Sequence, residues 1–184
     1  MDFPKSEFWD FTLQIYGKDG VSPAVIALQD KRGLDVDILL FCCFAAATGR
    51  GALSVADARA AKAVADPWQA QVVNAIRVVR RKLKEGFKGT PAGLPETLRK
   101  DIFGQELAAE RIEQMMLEAA VPRTADAGRP PAQCVADGAA SLKAYLEASG
   151  VVPDAQDQAH LSTLLGAALS DPEGARATIA RAYA

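Results

Sequence analysis

Histidine and cysteine are scarce in this chain, and their scarcity removes most metal and nucleophile chemistry at the outset. The one histidine, His160, has no second histidine and no cysteine at ligand spacing, so neither a zinc site nor a Cys-His or Ser-His-Asp assembly can be built around it. Asp157 stands three positions earlier on a neighbouring helical face, which leaves His160 as a surface or satisfied side chain. The three cysteines are an odd set. Cys42 and Cys43 are adjacent on an apolar segment, where geometry disfavours their bonding and a thiol behaves as a small hydrophobe. Cys134 sits at a helix start without a base nearby. This usage favours a reducing compartment.

Long apolar runs are also missing. The most apolar stretch, "VDILLFCCFAAA" from Val36 to Ala47, includes Asp37 and falls well short of the roughly 20 residues a bilayer-spanning helix needs. The first residues, "MDFPKSEFWDF", lack the charged and apolar regions of a secretory signal. A cytoplasmic protein without membrane attachment is expected. No segment alternates apolar and polar residues with β-branched enrichment, so no sheet is expected. No glycine cluster stands between a strand and a helix as a phosphate-binding loop requires, and "TGRG", Thr48 to Gly51, reads as a helix stop. Internal repeats and heptads are absent.

What is present is enough apolar sequence for a core: 49% of the 184 residues are hydrophobic and 24% charged, with a net charge of -2. The segments read as helices. Ser6 caps one that stops at Gly17, Pro23 opens a second that ends at Gly33, and Asp35 caps a third, apolar nearly all round. Ser54 and Asp57 form a capping box for a fourth. Asp66-Pro67 opens a fifth, on which Trp68, Val72, Ile76, Val79 and Leu83 make one apolar stripe directed to the core. Glu85 to Pro95 is a loop, and 95–120 is helical with Gly104 as a candidate break. Pro and Gly mark 121–133 as a linker, before helices over about 134–149, 154–170 and 172–183. The fold class is all-α: a compact multi-helix domain around the central helix at about 36–48, with a C-terminal helical annex. The expected domains are a core over 1–120, the linker, and a segment at 134–184 packing on the core.

The candidate site lies on the fifth helix. "VVNAIRVVRRKLKEGFKG" carries Arg77, Arg80, Arg81, Lys82, Lys84 and Lys88. Arg77, Arg81, Lys84 and Lys88 follow helical spacing as an exposed ridge beside the stripe, whereas Arg80 is placed to turn inward toward a carboxylate. Asp37 at the head of an apolar helix must find a partner, because an unpaired buried carboxylate costs several kcal/mol, and Asp35 and Asp37 are the acidic partners expected for the arginines. All-α enzymes that handle diphosphates hold magnesium on paired aspartates, and Asp30, Asp35 and Asp37 bracket the turn before the third helix. No complete ligand set is legible, so no metal and no cofactor are expected. The aromatic set of the first 70 residues is assigned to the core.

The series "FWDFTLQIY", "ALQDKRGLDVDILLFCCFAAATG" and "PWQAQVVNAIRVVRRKLK" resembles a small family of proteobacterial proteins that carries only a domain-of-unknown-function label. The resemblance covers about residues 6–116, through Phe8, Trp9, Phe11 and Tyr16, then Leu28, Gln29, Gly33, Asp35, Val36 and Leu39 to Phe41, then Trp68, Val73, Arg77, Arg80, Arg81, Leu83 and Lys84. Two positions depart: members often have asparagine where Asp37 stands and tryptophan near Phe44, so a pocket built on them differs here in charge and shape. The resemblance implies a cytoplasmic helical protein and supplies no activity. It picks out Gln29, Arg77, Arg80 and Arg81 as polar members of a mostly apolar signature.

Three functions compete at this level. The first is a non-catalytic protein acting through a protein partner or self-association. The second is a binder or enzyme holding an anionic small molecule among Arg77, Arg80, Arg81 and Gln29, with Trp9 or Trp68 as an apolar wall. The third, nucleic-acid binding through the basic helix, is disfavoured by the net negative charge and the absence of a motif or interleaved aromatics.

Overall fold

A computed structural model describes residues 2–86 and 88–184; Met1 and Phe87, the latter within the expected loop, lie outside it. The described residues are all-α, without strands. In chain order the helices are α1 (Glu7–Tyr16), α2 (Val21–Arg32), α3 (Val36–Ala47), α4 (Val55–Trp68), a π-helical turn (Gln69–Val73), α5 (Asn74–Glu85), α6 (Leu94–Ala120), α7 (Pro131–Ala148), α8 (Ala155–Leu169) and α9 (Pro172–Ala182).

The capping residues act where local chemistry placed them. Ser6 accepts from the Trp9 N–H, Asp35 from the N–H groups of Asp37 and Ile38, and Ser54 closes a capping box with Asp57. Each satisfies backbone donors that a helix start leaves open. Helix α3 is the centre: its residues from Asp37 to Ala46 are all buried. Phe8 of α1 stacks on Phe44 at 4.9 Å between ring centroids and tilts against Phe41 at 5.4 Å. Cys42 and Cys43 are fully buried here, and burial pushes both thiols above their ordinary range. Helix α7 crosses α3 closely enough that a Cβ on Gly138 would lie 2.4 Å from Leu165 Cδ1 and 3.2 Å from Ala46 Cβ.

One apolar cluster joins α1, α2 and α3 to Leu142, Tyr145, Leu161, Leu164 and Ile179 of the last three helices. Polar contacts add to it. Lys31 and Arg32 at the end of α2 grip Asp154 and Asp157 at the head of α8. The irregular stretch between α6 and α7 is tied down by Arg123 to Asp57, by Arg129 to Asp137, and by the Asp126 N–H to the Thr48 carbonyl.

Several expected boundaries move. Helix α2 begins at Val21 behind Gly20, whose φ of 78° suits glycine, so Pro23 is its third residue; the missing N–H is harmless within a first turn. Gly104 does not interrupt α6, which runs 27 residues. The largest correction is at Asp66-Pro67, where no new helix starts. Chain from Val55 to Glu85 is one rod with Pro67 inside it. Proline cannot donate to the carbonyl four residues back, and the following turn widens to π geometry, with the Asn74 N–H reaching the Gln69 carbonyl. That extra residue shifts the helical register. Val73 is buried in place of Val72, no residue of α5 is buried, and Val79 of the expected core stripe is exposed. Helix α5 packs chiefly on α6, and the two form an arm beside the core.

Candidate functional site

Between that arm and helices α1 to α3 lies a cleft of about 490 Å³. Its apolar wall is Trp9, Leu13, Tyr16, Ile26, Val36, Leu40, Phe103 and Leu107, and its polar wall includes Gln29, Asp37, Gln69, Arg77, Arg80, Arg81, Glu106, Glu110 and Gln114. A second cleft of about 500 Å³ lies on the other side of Gln29, Gln69, Arg77 and Arg81, with Asp35 and Asp66 in its wall. Trp9, Gln29, Arg77, Arg80 and Arg81 thus come together around the first cleft, with Asp37 among them and Asp35 behind. Trp68 does not line it: the indole N–H donates to the Ala109 carbonyl at 2.9 Å and ties the rod to α6. A larger recess of about 700 Å³ between α8 and α9 contains none of these residues.

The carboxylates gripped by the arginines are not Asp35 and Asp37. Arg77 donates from Nε to Glu106 at 2.9 Å and from Nη2 to Glu110 at 3.1 Å, and Arg80 clasps Glu106 through Nε and Nη2. Both glutamates lie on α6, facing α5. Arg77 and Arg80 therefore close an internal ion-pair network, while among the described residues Arg81 forms no ion pair. Burial works against ionisation of Glu106, but hydrogen bonds and charge from Arg80 and Arg77 outweigh it and hold its carboxyl below the usual range. Glu110 goes the other way: burial raises it despite Arg77.

Asp35 and Asp37 belong to a different group. With Glu113 of α6 they form a triad in which one oxygen from each lies within 4.8 Å of the others. Burial raises Asp35, against hydrogen bonds from the Glu113 carboxyl and two backbone N–H groups. Burial, then the charge of Asp35, raises Asp37 well above its ordinary value. Glu113 is fully buried; burial and the two aspartates push it up to about 11. It holds its proton at neutral pH and donates it to Asp35. Each carboxyl is oriented by an N–H donor: the α3 backbone for Asp35, Gln114 Nε2 for Asp37 at 2.7 Å, and Gln69 Nε2 for Glu113 at 2.8 Å. Gln69 is the first residue of the π turn and reaches α6 through this contact.

Sequence reasoning missed Glu106, Glu110, Glu113, Gln114 and Gln69. A signal was there in α6: Glu106, Ala109, Glu113 and Leu117 follow 3-4-4 spacing, so glutamates occupy the positions of a buried stripe. Asp157 was set beside His160, yet it is fully buried and held by Arg32 and Lys31.

The fold and cleft define an all-α protein whose first six helices enclose a polar network between a basic arm and an apolar core. The chain belongs to the family described as "Protein of unknown function (DUF2390)", matched over residues 7–117. That span holds both clefts' arginines and the whole triad. No curated protein and no solved structure matches the chain.

Proposed function

We propose that the protein is a non-catalytic binding protein whose α5–α6 arm engages an acidic segment of a partner protein. The observation that carries this reading is the composition of the arm's free surface. Between Arg81 and Lys100 stand six cations and two carboxylates, Glu85 and Glu96, in a chain whose net charge is -2. Among those cations Val78 is 58% exposed and Leu94 62%, with Val79 and Leu98 also open. Exposed apolar side chains rimmed by polar and charged ones mark interaction surfaces, and the excess of one charge selects an acidic surface and speeds encounter. Lys82 and Arg99 are partly neutralised by Glu85 and Glu96, which leaves Arg81, Lys84, Lys88 and Lys100 to set the sign.

Photo-cross-linking in cells tests it. A photoreactive residue at Val78 is expected to yield protein adducts that disappear when Arg81 and Lys84 are changed to glutamate. The same residue at Val152, exposed on the loop between α7 and α8, is expected to yield none of them. Adducts sensitive to nuclease, or adducts unchanged by the charge reversal, would refute the reading.

A second reading, an acidic small molecule in the first cleft, is supported by Arg81, which faces that cleft without an ion-pair partner, and by the Trp9 wall. The neutralisation of Arg77 and Arg80 by Glu106 and Glu110 ranks it lower. A thermal-shift series with phosphates, diphosphates and carboxylates should show a rise lost in Arg81→Met; the absence of any rise would remove it.

A further inference from the structure

We propose that Asp35, Asp37 and Glu113 form a binding site for one divalent cation of the hard, oxygen-seeking kind, Mg²⁺ or Mn²⁺. The site is separate from the arm's docking surface and independent of it. Three observations converge. The first is spacing: each carboxyl brings an oxygen within 4.8 Å of the others, close enough for a single ion to sit among them and draw them in to the roughly 2.0–2.2 Å typical of such metals. The second is orientation. Each carboxyl gives one oxygen to a protein N–H donor, Oδ1 of Asp35 to the α3 backbone, Oδ1 of Asp37 to Gln114, and Oε2 of Glu113 to Gln69. Among the described residues no N–H donor reaches the second oxygen of any of the three. Outer donors that fix a ligand's position while sparing one oxygen are the supporting shell of a metal site.

The third observation lies outside the acidic cluster. Gln114 is fully buried, and its amide, held against Asp37 and Thr12 through Nε2, leaves Oε1 with no hydrogen-bond partner. Buried carbonyl oxygens rarely go unpaired. A free acceptor on the amide that holds Asp37 suits a water carried on the ion. The nearest guanidinium, Arg77, is occupied by Glu106 and Glu110, so it does not satisfy the triad. Asp37 opens on the first cleft and Asp35 on the second, which gives an ion a way in from either side.

The test uses the full chain, stripped with EDTA and titrated with Mn²⁺ at pH 7.5, reading free Mn²⁺ by electron paramagnetic resonance. One saturable site displaced by Mg²⁺ is expected. Glu113→Gln and Asp37→Asn, both near-isosteric, should each weaken it at least about tenfold, while Glu173→Gln on the surface leaves it unchanged; circular dichroism checks that all fold. No saturable Mn²⁺ binding, or equal affinity in Glu113→Gln, would overturn the proposal.

Discussion

Glu113→Gln should stabilise the metal-free protein at neutral pH, an unusual result for a change in a fully buried side chain. In the unfolded chain this carboxyl ionises near its ordinary 4.5, whereas in the fold it stays protonated up to about 11. Between those values the folded state binds the extra proton, so stability falls as pH rises. The slope for one group is about 1.4 kcal/mol per pH unit. At pH 7.5, three units above 4.5, the folded chain gives up at most about 4 kcal/mol by keeping Glu113 neutral. Glutamine carries no such term. Its amide can donate to Asp35 and accept from Gln69, the two contacts of the protonated acid. Allowing for imperfect amide geometry, a gain of about 2 kcal/mol is expected, or about 5 °C in melting temperature for a chain of this size. Urea unfolding in EDTA at pH 5.0 and 8.0 provides the assay. The variant's advantage should grow with pH, being small at 5.0 and several-fold larger at 8.0. A variant less stable than the parent at pH 8.0, or a difference independent of pH, would refute the protonated triad.

The Asp157 contact runs with the opposite sign. Burial opposes its ionisation, but Arg32, the Asp154 N–H and Lys31 outweigh that and depress its carboxyl, so its contribution is present above the unfolded value near 3.8 and is lost as pH falls through the folded one. Asp157→Asn should cost about 3 kcal/mol at pH 7 in urea unfolding and little at pH 2. Gly138→Ala, whose Cβ meets Leu165 and Ala46, should cost about 1–3 kcal/mol by overpacking, read by thermal denaturation, whereas Gly104→Ala, with open space around it, should stabilise α6 by up to about 1 kcal/mol. Glu106→Gln removes the shared anion of Arg77 and Arg80 and should cost about 3 kcal/mol, with faster amide exchange confined to α5 and the start of α6.

The parts of this fold legible in sequence are those decided locally. Caps at Ser6, Asp35 and Ser54, and a helix apolar on every side, each need only near neighbours to act. The Pro67 region shows where local reasoning fails. An Asp-Pro pair is an ordinary helix opening, and nothing nearby says that α4 will continue through the proline and absorb it as a π turn. The continuation depends on α6, whose Ala109 carbonyl receives Trp68 and whose Glu113 receives Gln69. The same one-residue shift left Val79 of the expected core stripe exposed and Ile76 and Leu83 only half-buried, so one missed turn altered the packing of the arm.

The candidate site was half legible for a related reason. Arg77, Arg80, Arg81, Gln29 and Trp9 were visible as polar and aromatic members of a helical signature, and they do share a cleft. Their counter-charges were sought in the nearest carboxylates of the preceding apolar helix, Asp35 and Asp37, because desolvation demanded a partner for Asp37. That demand is real, but two solutions to it exist. A buried carboxylate can take a cation, as Glu106 does, or give up its charge, as Glu113 does to relieve Asp35. Arginine pairing went to Glu106 and Glu110, 26 to 33 residues away along the chain, and this left three carboxyls sharing one small volume with no lysine or arginine assigned to them. A fold with a core this apolar would ordinarily replace such a cluster by hydrophobic side chains at no loss of stability. Its presence on the wall between two clefts, oriented by Gln69 and Gln114, is therefore better explained by a cation it receives than by the packing it completes.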